Sequence, residues 1–367
     1  MFLHNYWYVG AYSAEIGEQP LARTILGEPV LFYRASDGRA VALENRCCHR
    51  NLPLSMGARE GDAIRCGYHG LKFDSAGQCI EIPGQPQIPP DAKIKTYPVI
   101  ERWNFVWLWM GAPAERDESL LPQWHCIDDP KLTTTMGNGC QALPMECHWE
   151  LNNDNLLDLM HVVYVHPGTL GGAGLDNNPV TTQRLANSVH MMRWSPNVAP
   201  VPLLAKLAGF NGTDSDRWQA TICELPSHCT IDAGFAAPGK VGRDGDRDQG
   251  VRLRALITAT PETETTSFMF YAQCRNFALG NEEVSARFIK QIRAVFDEDI
   301  RVMEGQQRIN SMLPNAATVE IRCDVPVVAM RRLVTQAAAR EREEPAIPRG
   351  PQPVPASHPN EVGSPAH

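Results

Sequence analysis

Residues 46–70 read RCCHRNLPLSMGAREGDAIRCGYHG, and the interpretation of the whole chain starts from this stretch. Cys47 and His49 form a Cys-x-His pair, and after sixteen intervening residues Cys66 and His69 form a Cys-x-x-His pair. Each pair ends a short loop. Two thiolates and two imidazoles are thereby brought to one small volume, which predicts a metal centre with two sulfur and two nitrogen ligands.

Two kinds of centre use these donors. In a Rieske [2Fe–2S] centre, two histidines replace two cysteines on one iron and raise the reduction potential. A structural zinc site with two cysteines and two histidines has the same donors. The short Cys-x-His arm differs from the two-cysteine arm of zinc fingers, and the second arm is surrounded by Gly67, Tyr68 and Gly70. Because small residues let backbone N–H groups approach the sulfurs, the pattern favours iron and leaves zinc as the alternative.

Length and composition exclude several classes of protein. A chain of 367 residues suggests two domains. The net charge of −8 argues against nucleic acid or an anionic membrane as partner. No run reaches the roughly 18 apolar residues of a membrane span, and the first residues show no secretory signal. Eleven cysteines without the spacing of a small secreted domain predict reduced thiols in a cytoplasmic protein. Cys48, between two proposed ligands, is left out of the site.

The composition and the hydrophobic pattern of the sequence divide the chain into three parts and predict an α+β protein. Residues 1–115 read as short strands with turns, and we expect them to form an all-β domain. Residues 344–367 are rich in proline and are predicted to be a disordered tail. Residues 116–343 form the second domain. It is expected to begin with a helical segment at 146–166 and to contain a long helix at about 282–312. Strands are expected between them at 218–226, 229–239, 251–261 and 267–276, the last two paired as a hairpin.

A second group of polar residues lies in NDNLLDLMHVVYVHPG, residues 153–168. Helical geometry puts Asp158 and His161 on one face. His166 must be brought in by the end of the helix, and the proline that follows it gives a reason for such an end. Together with Asn155, these residues are too many polar groups to be buried without partners. Two imidazoles and one carboxylate, with open coordination positions, make the facial triad of a non-haem Fe(II) oxygenase.

The long helix is expected to supply the carboxylate. Its apolar stripe is predicted to comprise Phe288, Ile292, Val295, Val302 and Leu313. Asp299 falls inside this stripe, whereas Asp297 lies on the opposite side of the helix. A carboxylate on a core face is unfavourable unless a positive group meets it. We therefore predict Asp299 as the third metal ligand, with a buried ion pair to an arginine as the alternative.

Five segments carry a resemblance to a known family: NYWYVG (5–10), ENRCCHRNLPLSMG (44–57), IRCGYHGLKFDSAGQC (64–79), DNLLDLMHVVYVHPGTLG (154–171) and VFDEDIRVMEGQQR (295–308). The chain resembles the alpha subunits of Rieske non-haem iron aromatic-ring oxygenases, in the group of vanillate and dicamba O-demethylases. The resemblance implies a Rieske domain followed by a START-like helix-grip catalytic domain. It also implies a homotrimer and a separate NAD(P)H-dependent reductase with flavin and [2Fe–2S], or a separate ferredoxin. The chain departs from the family at Cys47-Cys48, where Cys-Pro-His is usual.

The resemblance implies roles for individual residues. Electrons pass one at a time from the Rieske centre of one subunit to the mononuclear iron of its neighbour, where O2 is activated once substrate is bound. Asp158 matches the carboxylate that bridges His69 of one chain and His161 of the next. Asn155 is placed near that bridge, with no role argued. The expected reaction is oxidative O- or N-demethylation of a small aromatic substrate with release of an aldehyde, and ring dioxygenation or diaryl-ether cleavage at the same site are the alternatives.

Two hypotheses come from other classes. A Rieske electron carrier would need only the first domain, and a zinc-stabilised protein that binds a hydrophobic ligand would need neither redox metal. The substrate pocket is expected to be lined by residues 170–240 and the hairpin at 250–279. Arg184, Arg193 and Arg217 in this region could pair with a substrate carboxylate, but each is expected to lie at the surface.

Overall fold

The structure is a computed structural model that describes residues 1–171 and 178–343. The predicted tail at 344–367 lies outside the described residues. The chain has the α+β organisation that the sequence predicts, with small sheets first and a large sheet with helices afterwards. None of the helices in the described ranges has the length and hydrophobicity that crossing a bilayer requires.

Ten short strands form three antiparallel sheets in the first part of the chain. Their orders are β1-β10-β9, β2-β3-β4 and β5-β6-β7-β8. The strands are β1 Trp7–Tyr12, β2 Leu21–Ile25, β3 Glu28–Arg34, β4 Ala40–Glu44, β5 Ala58–Glu60, β6 Ala63–Arg65, β7 Lys72–Phe73, β8 Cys79–Glu81, β9 Val99–Arg102 and β10 Phe105–Trp109.

Within the described residues, one eight-stranded antiparallel sheet and five α-helices build the second part. The sheet order is β11-β18-β17-β16-β15-β14-β13, and β12 also pairs with β18. The strands are β11 Thr133–Met136, β12 Leu143–Met145, β13 Val180–Arg184, β14 Ser188–Val198, β15 Ser215–Glu224, β16 His228–Ala236, β17 Val251–Pro261 and β18 Ser267–Arg275. The helices are α1 Trp149–Leu156, α2 His161–Val165, α3 Pro202–Ala208, α4 Glu282–Met312 and α5 Val325–Glu343. The predicted β17–β18 hairpin is confirmed, with nine residue pairs in continuous register.

The long helix α4 has the bounds that the sequence predicts, but its buried face is shorter than expected. The Asn281 side chain accepts a hydrogen bond from Val284 N and so caps the first turn. The buried residues of the helix end at Met303. The prediction that Val302 and Leu313 belong to the buried stripe is wrong, because they are 39% and 57% exposed. Val302 lies at the edge of the buried face, next to Met303, whereas Leu313 follows the end of the helix and lies beyond the buried residues.

The prediction of one continuous helical segment at 146–166 is also wrong. The structure has two short helices, α1 and α2, with a break at residues 157–160. The break is stabilised by the Asp158 side chain, whose Oδ1 accepts a hydrogen bond from Met160 N at 2.7 Å. A short acidic side chain competes in this way with the helical hydrogen bonds of the main chain. Asp158 therefore lies between two helices rather than within one.

The prediction that the cysteines are all reduced thiols is wrong for one pair. Cys223 on β15 and Cys229 on β16 are directly opposite each other in the sheet and form a disulfide. Their Cα atoms are 4.1 Å apart, because facing residues of neighbouring antiparallel strands come this close. The pairing depends on strand register, which cysteine spacing does not reveal. The other nine cysteines are free.

An aromatic cluster joins the two parts of the molecule. Trp7 and Trp107 of the small sheets pack in one buried core with Trp124 and with Phe270 of the large sheet. The fully buried His228 adds a hydrogen bond across this junction, from Nε2 to the Trp7 carbonyl at 3.1 Å.

Candidate iron centres and substrate cavity

Two loops with the same hydrogen-bond pattern present the predicted cluster ligands. In the first loop Cys47 N donates to Leu52 O at 2.9 Å, and in the second Cys66 N donates to Leu71 O at 2.8 Å. In each loop the amide four residues after the cysteine donates back to the cysteine carbonyl, at 3.0 and 3.1 Å. The repeated pattern gives both cysteines the same local backbone geometry and turns each histidine toward the other loop.

The four candidate ligand side chains differ in their exposure to solvent. Cys47 and Cys66 are 2% and 3% exposed, whereas His49 and His69 lie at the surface with ring centroids 4.6 Å apart. This arrangement fits a two-iron cluster whose thiolate-ligated iron is buried and whose imidazole-ligated iron is near solvent. Burial raises the pKa of the Cys47 thiol to about 11. The thiolate therefore needs the positive charge of a metal to form at neutral pH.

Cys48 lies in sequence between the two proposed ligands of the first loop. It is half-buried and packs against the apolar core of the surrounding sheets. Its exclusion from the predicted ligand set agrees with this position.

The helix α2 carries the two histidines of the second predicted site at its ends. His161 is its first residue, and the helix stops at His166, whose backbone leaves the helical region. The His166 carbonyl accepts a hydrogen bond from Gly171 N at 2.8 Å, which turns the chain back after the helix. His166 thus reaches the site from the end of the helix, as the sequence predicts.

Asp299 on α4 meets both histidines in the interior. Its Oδ1 is 2.9 Å from His166 Nε2 and 3.5 Å from His161 Nε2. The possible ligand atoms of the three residues all lie within 4.8 Å of one another. In the described part of the chain no arginine pairs with Asp299, so the alternative of a buried arginine ion pair is not what the structure shows. Asp297 is exposed and pairs with Arg293 at 2.8 Å.

Two further side chains hold this triad in place. Glu298 Oε2 is 2.6 Å from His166 Nδ1, which orients the ring and leaves Nε2 for a metal. The Asn155 amide donates to Asp299 Oδ1 at 3.1 Å, so Asn155 positions the carboxylate. Glu298 was missed by reasoning from sequence. A ligating histidine usually gives its second ring N–H to a carboxylate, but helical spacing alone does not show which carboxylate meets His166.

The pKa values of the histidines fit metal ligation. Burial lowers the pKa of His161 despite the nearby charges of Asp299 and Asp158, so this ring is neutral, as a ligand must be. Burial also lowers the pKa of His166, but the carboxylates of Asp299 and Glu298, which accept hydrogen bonds from its ring, outweigh burial and raise the pKa overall. A divalent cation bound here therefore competes with a proton for His166. Two imidazoles, a buried carboxylate and supporting hydrogen bonds form a donor set that suits Fe(II).

Asp158 connects the triad with the surface. Its Oδ2 lies 3.8 Å from His161 Nδ1, and its side chain is 29% exposed. His161 Nδ1 is buried and has no hydrogen-bond partner within the described residues. A partly exposed carboxylate next to the second nitrogen of a candidate ligand histidine is in position to contact a group outside this chain.

A cavity of about 110 Å³ adjoins the triad, between α4 and the sheet. Most of its lining is aliphatic or aromatic, including Leu204, Ile231, Leu253, Ile257, Val295 and Phe296. Arg217, Gln219 and Gln273 are its polar residues on the sheet side. The prediction that the three arginines are at the surface is correct for Arg184 and wrong for Arg193 and Arg217, which are 2% and 6% exposed. They occupy inward-facing positions of β14 and β15, which only the strand register assigns.

The fold and the two centres define the class of oxygenase that combines an iron–sulfur domain with a mononuclear iron domain. Comparison with known protein families supports the same class. The Rieske [2Fe-2S] domain family matches residues 6–98, and the vanillate O-demethylase oxygenase C-terminal domain family matches residues 145–340. The chain belongs to the Rieske non-haem iron oxygenases, in the group that contains the vanillate O-demethylase oxygenase subunit.

Individual relatives cover nearly the whole chain. The iron-sulfur subunit TsaM1 of the toluene-4-sulfonate monooxygenase system of Comamonas testosteroni is 40% identical over 88% of this chain and 93% of its own length. The vanillate O-demethylase oxygenase subunit of Pseudomonas sp. (strain HR199 / DSM 7063) is 34% identical over 94% of this chain and 97% of its own. The crystal structure of dicamba monooxygenase bound to 3,6-dichlorosalicylic acid has a TM-score of 0.86 and 30% identity, covering 93% of this chain and 99% of that one. Another structure of dicamba monooxygenase contains non-haem iron.

Several predictions from the sequence are confirmed by these findings. The chain is an enzyme, the oxygenase component of a multicomponent system, and its cofactors are a Rieske [2Fe–2S] cluster and mononuclear iron. A zinc-stabilised binding protein and a simple electron carrier are thereby excluded. The family match also confirms the Rieske domain followed by a catalytic domain with a helix across an antiparallel sheet.

Proposed function

We propose that this oxygenase removes a methyl or larger alkyl group from the oxygen or nitrogen of a small aromatic substrate bound in the cavity beside His161, His166 and Asp299. The observation that carries the proposal is that the three buried ligands and an apolar cavity of the second domain adjoin each other. Overall, an aryl methyl ether, O2, NAD(P)H and a proton become a phenol, formaldehyde, NAD(P)+ and water. The O-demethylase names of the vanillate and dicamba relatives support this reaction.

The residue assignments are part of the same proposal. Cys47, His49, Cys66 and His69 hold the cluster, and His161, His166 and Asp299 hold the mononuclear iron. When bound, these groups supply single electrons and the activation of O2. The apolar walls keep water from the reacting alkyl group, and Asn155 and Glu298 keep Asp299 and His166 in place. The division into a Rieske domain at 1–115 and a catalytic domain at 116–343 is supported by the change from small sheets to one large sheet.

Electron transfer between subunits belongs to the proposal too. We infer a head-to-tail homotrimer in which the exposed His69 of one chain meets the partly exposed Asp158 of its neighbour. The electrons come from a partner reductase with flavin and [2Fe–2S], directly or through a ferredoxin. Because that reductase draws on NAD(P)H, we place the reaction in the cytoplasm.

A second candidate is hydroxylation of a ring methyl group without loss of carbon. The relative with 40% identity belongs to a monooxygenase system for toluene-4-sulfonate, a compound with no O-alkyl or N-alkyl group. The same iron site and cavity serve either reaction, because a hydroxylated O-methyl or N-methyl group collapses to an aldehyde whereas a hydroxylated ring methyl is a stable alcohol. The product thus distinguishes the two.

The experiment is metal analysis followed by turnover with a reductase. We expect about three iron atoms per chain, two in the cluster and one mononuclear, because the chain has two independent ligand sets. Purified oxygenase is then supplied with NADH, a reductase and a panel of aryl methyl ethers, N-alkyl anilides and methylarenes. Aldehyde release in proportion to O2 consumed supports dealkylation, and benzylic alcohol supports the second candidate. Iron at two atoms per chain, or O2 consumption that no panel member stimulates, contradicts the proposal.

A further inference from the structure

Two free cysteines lie against each other outside both proposed iron centres. Cys126 belongs to a short helical turn, His125–Asp128, and Cys274 lies near the end of β18. Cys126 packs against the buried cluster that contains Cys274, and the two thiols share a hydrogen bond. Neither thiol has a part in the proposed oxygenase reaction.

The strand register puts Cys274 on the outer face of the large sheet, away from the substrate cavity. Its neighbours in the row across the sheet are Thr134 on β11 and Arg254 on β17. Gln273, the residue before it, lines the cavity, and successive residues of a strand face opposite sides. Cys274 is 1% exposed, and its sulfur is 3.5 Å from the Thr134 hydroxyl. Dissolved reagents therefore do not reach Cys274 directly.

Cys126 is the accessible member of the pair. It is half-buried and lines a surface pocket of about 370 Å³. Three arginines, Arg247, Arg252 and Arg254, line the same pocket. The first two pair with Asp232 at 3.0 and 2.7 Å. The pocket thus brings solvent and several positive charges to the Cys126 side of the pair.

Arg254 is the arginine of this pocket with the weakest described ion pair. Its carboxylate partner in the described ranges is Asp248 at 3.8 Å, and the same oxygen of Asp248 is 2.5 Å from Arg252. The hydrogen bond with Cys274, followed by the charges of Arg254 and Arg252, lowers the pKa of Cys126, although burial opposes the shift. The surroundings of Cys126 therefore favour the thiolate.

Two other half-buried thiols in the described part of the chain differ from Cys126. Burial raises the pKa of Cys140 and of Cys323. The thiolate is the nucleophilic form of cysteine. Cysteines that oxidise reversibly are accessible, have a low pKa and often lie next to a second cysteine that resolves the oxidised sulfur. Cys126 combines these three properties.

We propose that Cys126 and Cys274 are a reversible oxidation site for hydrogen peroxide, in which Cys126 is the attacking thiol and Cys274 the resolving thiol. The Cys126 thiolate attacks one peroxide oxygen, the O–O bond breaks, and the departing hydroxide takes up a proton to become water, which leaves a sulfenic acid. The Cys274 sulfur then attacks the Cys126 sulfur, the S–O bond breaks, and the hydroxide leaves as water with the proton of Cys274. Two thiols and one peroxide thus become one disulfide and two waters.

The oxidant is available to any protein that handles O2 and electrons. O2 that takes up two electrons and two protons without oxidising a substrate becomes hydrogen peroxide. The inference goes beyond the proposed function and does not depend on it, because added peroxide tests the thiol pair directly. The competing explanation is structural: the two thiols would only fill the edge of the aromatic core between the domains.

The test is a peptide map of the holoprotein, in its oxidised resting state, after treatment with a few equivalents of hydrogen peroxide. Free thiols are then blocked with iodoacetamide, and the protein is digested with trypsin without reductant. Trypsin puts Cys126 in peptide 117–131 and Cys274 in peptide 255–275, and neither peptide has another cysteine. We expect most of the two peptides to appear as one disulfide-linked species, and dithiothreitol to separate them again. The Rieske spectrum of the same sample reports that the cluster is intact.

Variants separate the roles of the two thiols. Cys274→Ser should stop the reaction at the sulfenic acid of Cys126, which dimedone traps. Cys126→Ser should leave Cys274 reduced, because Cys274 is buried. Arg254→Gln should slow disulfide formation roughly two- to fivefold, the range for a partly exposed ion pair. Cys140→Ser is the matched control, since this thiol is half-buried against the same core and has a raised pKa; it should leave the rate and the yield unchanged.

Peroxide that leaves both peptides reduced, or that oxidises Cys126 without forming the disulfide, overturns the inference. So does equal reactivity of Cys126 and Cys140 toward peroxide. We expect Cys126 to react faster by about threefold for each pKa unit between the two thiols, because about tenfold more thiolate is partly offset by weaker nucleophilicity. If a variant does not fold, the peptide map of the wild-type protein still decides.

Discussion

The contact between Glu298 and His166 leads to a quantitative prediction about the mononuclear site. Glu298 Oε2 is 2.6 Å from His166 Nδ1, on the side of the ring away from Asp299. Removal of a carboxylate that supports a ligand histidine typically lowers metal affinity by roughly 10- to 100-fold. The Glu298 side chain is 37% exposed, so solvent screens its charge and the lower end of this range applies. We expect Glu298→Ala to weaken Fe(II) binding about tenfold, or about 1.4 kcal/mol.

The assay is competition for Fe(II) between the mononuclear site and a chelator, with the intact Rieske spectrum as a measure of folding. Glu298→Gln should show a smaller loss, because its amide oxygen still orients the ring but has no charge to strengthen the hydrogen bond. Asp297→Ala is the matched control, since this neighbouring carboxylate is exposed and pairs only with Arg293 among the described residues. An unchanged Fe(II) affinity in Glu298→Ala, or an equal loss in Asp297→Ala, would refute the argument.

Three further predictions concern other parts of the molecule. Asp299→Ala should lose the mononuclear iron and all oxygenation but keep the Rieske spectrum, whereas Asp297→Ala should be close to wild type in metal analysis and turnover; the reverse result would identify the wrong carboxylate. Asp158→Asn should keep both metals, and its cluster should be reduced normally. The reduced cluster should be reoxidised slowly in a single turnover with substrate and O2, because the amide cannot replace the charge between two histidines. Reoxidation at the wild-type rate would mean that Asp158 serves only to break the helix. Complete burial lowers the pKa of His228 from 6.5 to about 4, so the unfolded chain takes up a proton below pH 6.5 that the folded chain does not. Stability from this group is therefore present above pH 6.5 and falls by about 3 kcal/mol as the pH drops to 4; thermal melts at several pH values should show a shallower decline for His228→Gln, and equal pH dependence in both proteins would contradict this.

Site residues that depend on local chain geometry were accessible from the sequence. The spacing of Cys47 and His49, and of Cys66 and His69, decides which donors each loop presents, because a tight loop leaves few directions for its side chains. His166 was placed correctly at a helix end, since a residue before proline disfavours continued helix. Asp299 was selected because a carboxylate among buried apolar positions of one helix needs a partner.

The errors arose where a local pattern was extended too far. Val302 and Leu313 continue the apolar spacing of the long helix, but Val302 lies beside the buried Met303 at the edge of the buried face, and Leu313 follows the last residue of the helix. The region 146–166 has helical composition throughout, yet the Asp158 side chain bonds the main chain and breaks the helix.

The sequence by itself determined the class of protein and the bounds of the long helix and nominated the ligands proposed for both metal centres, because ligand spacing and helical periodicity are properties of short segments. Only the tertiary structure decided which side chains face the cavity. Arg217 and the exposed Arg184 both lie on strands of polar composition, and only strand order and register make one of them the wall of a cavity. Glu298 beside His166 and Cys223 opposite Cys229 were hidden for the same reason: each contact joins residues of different elements. Such pairings follow from the packing of whole elements, which no local spacing records.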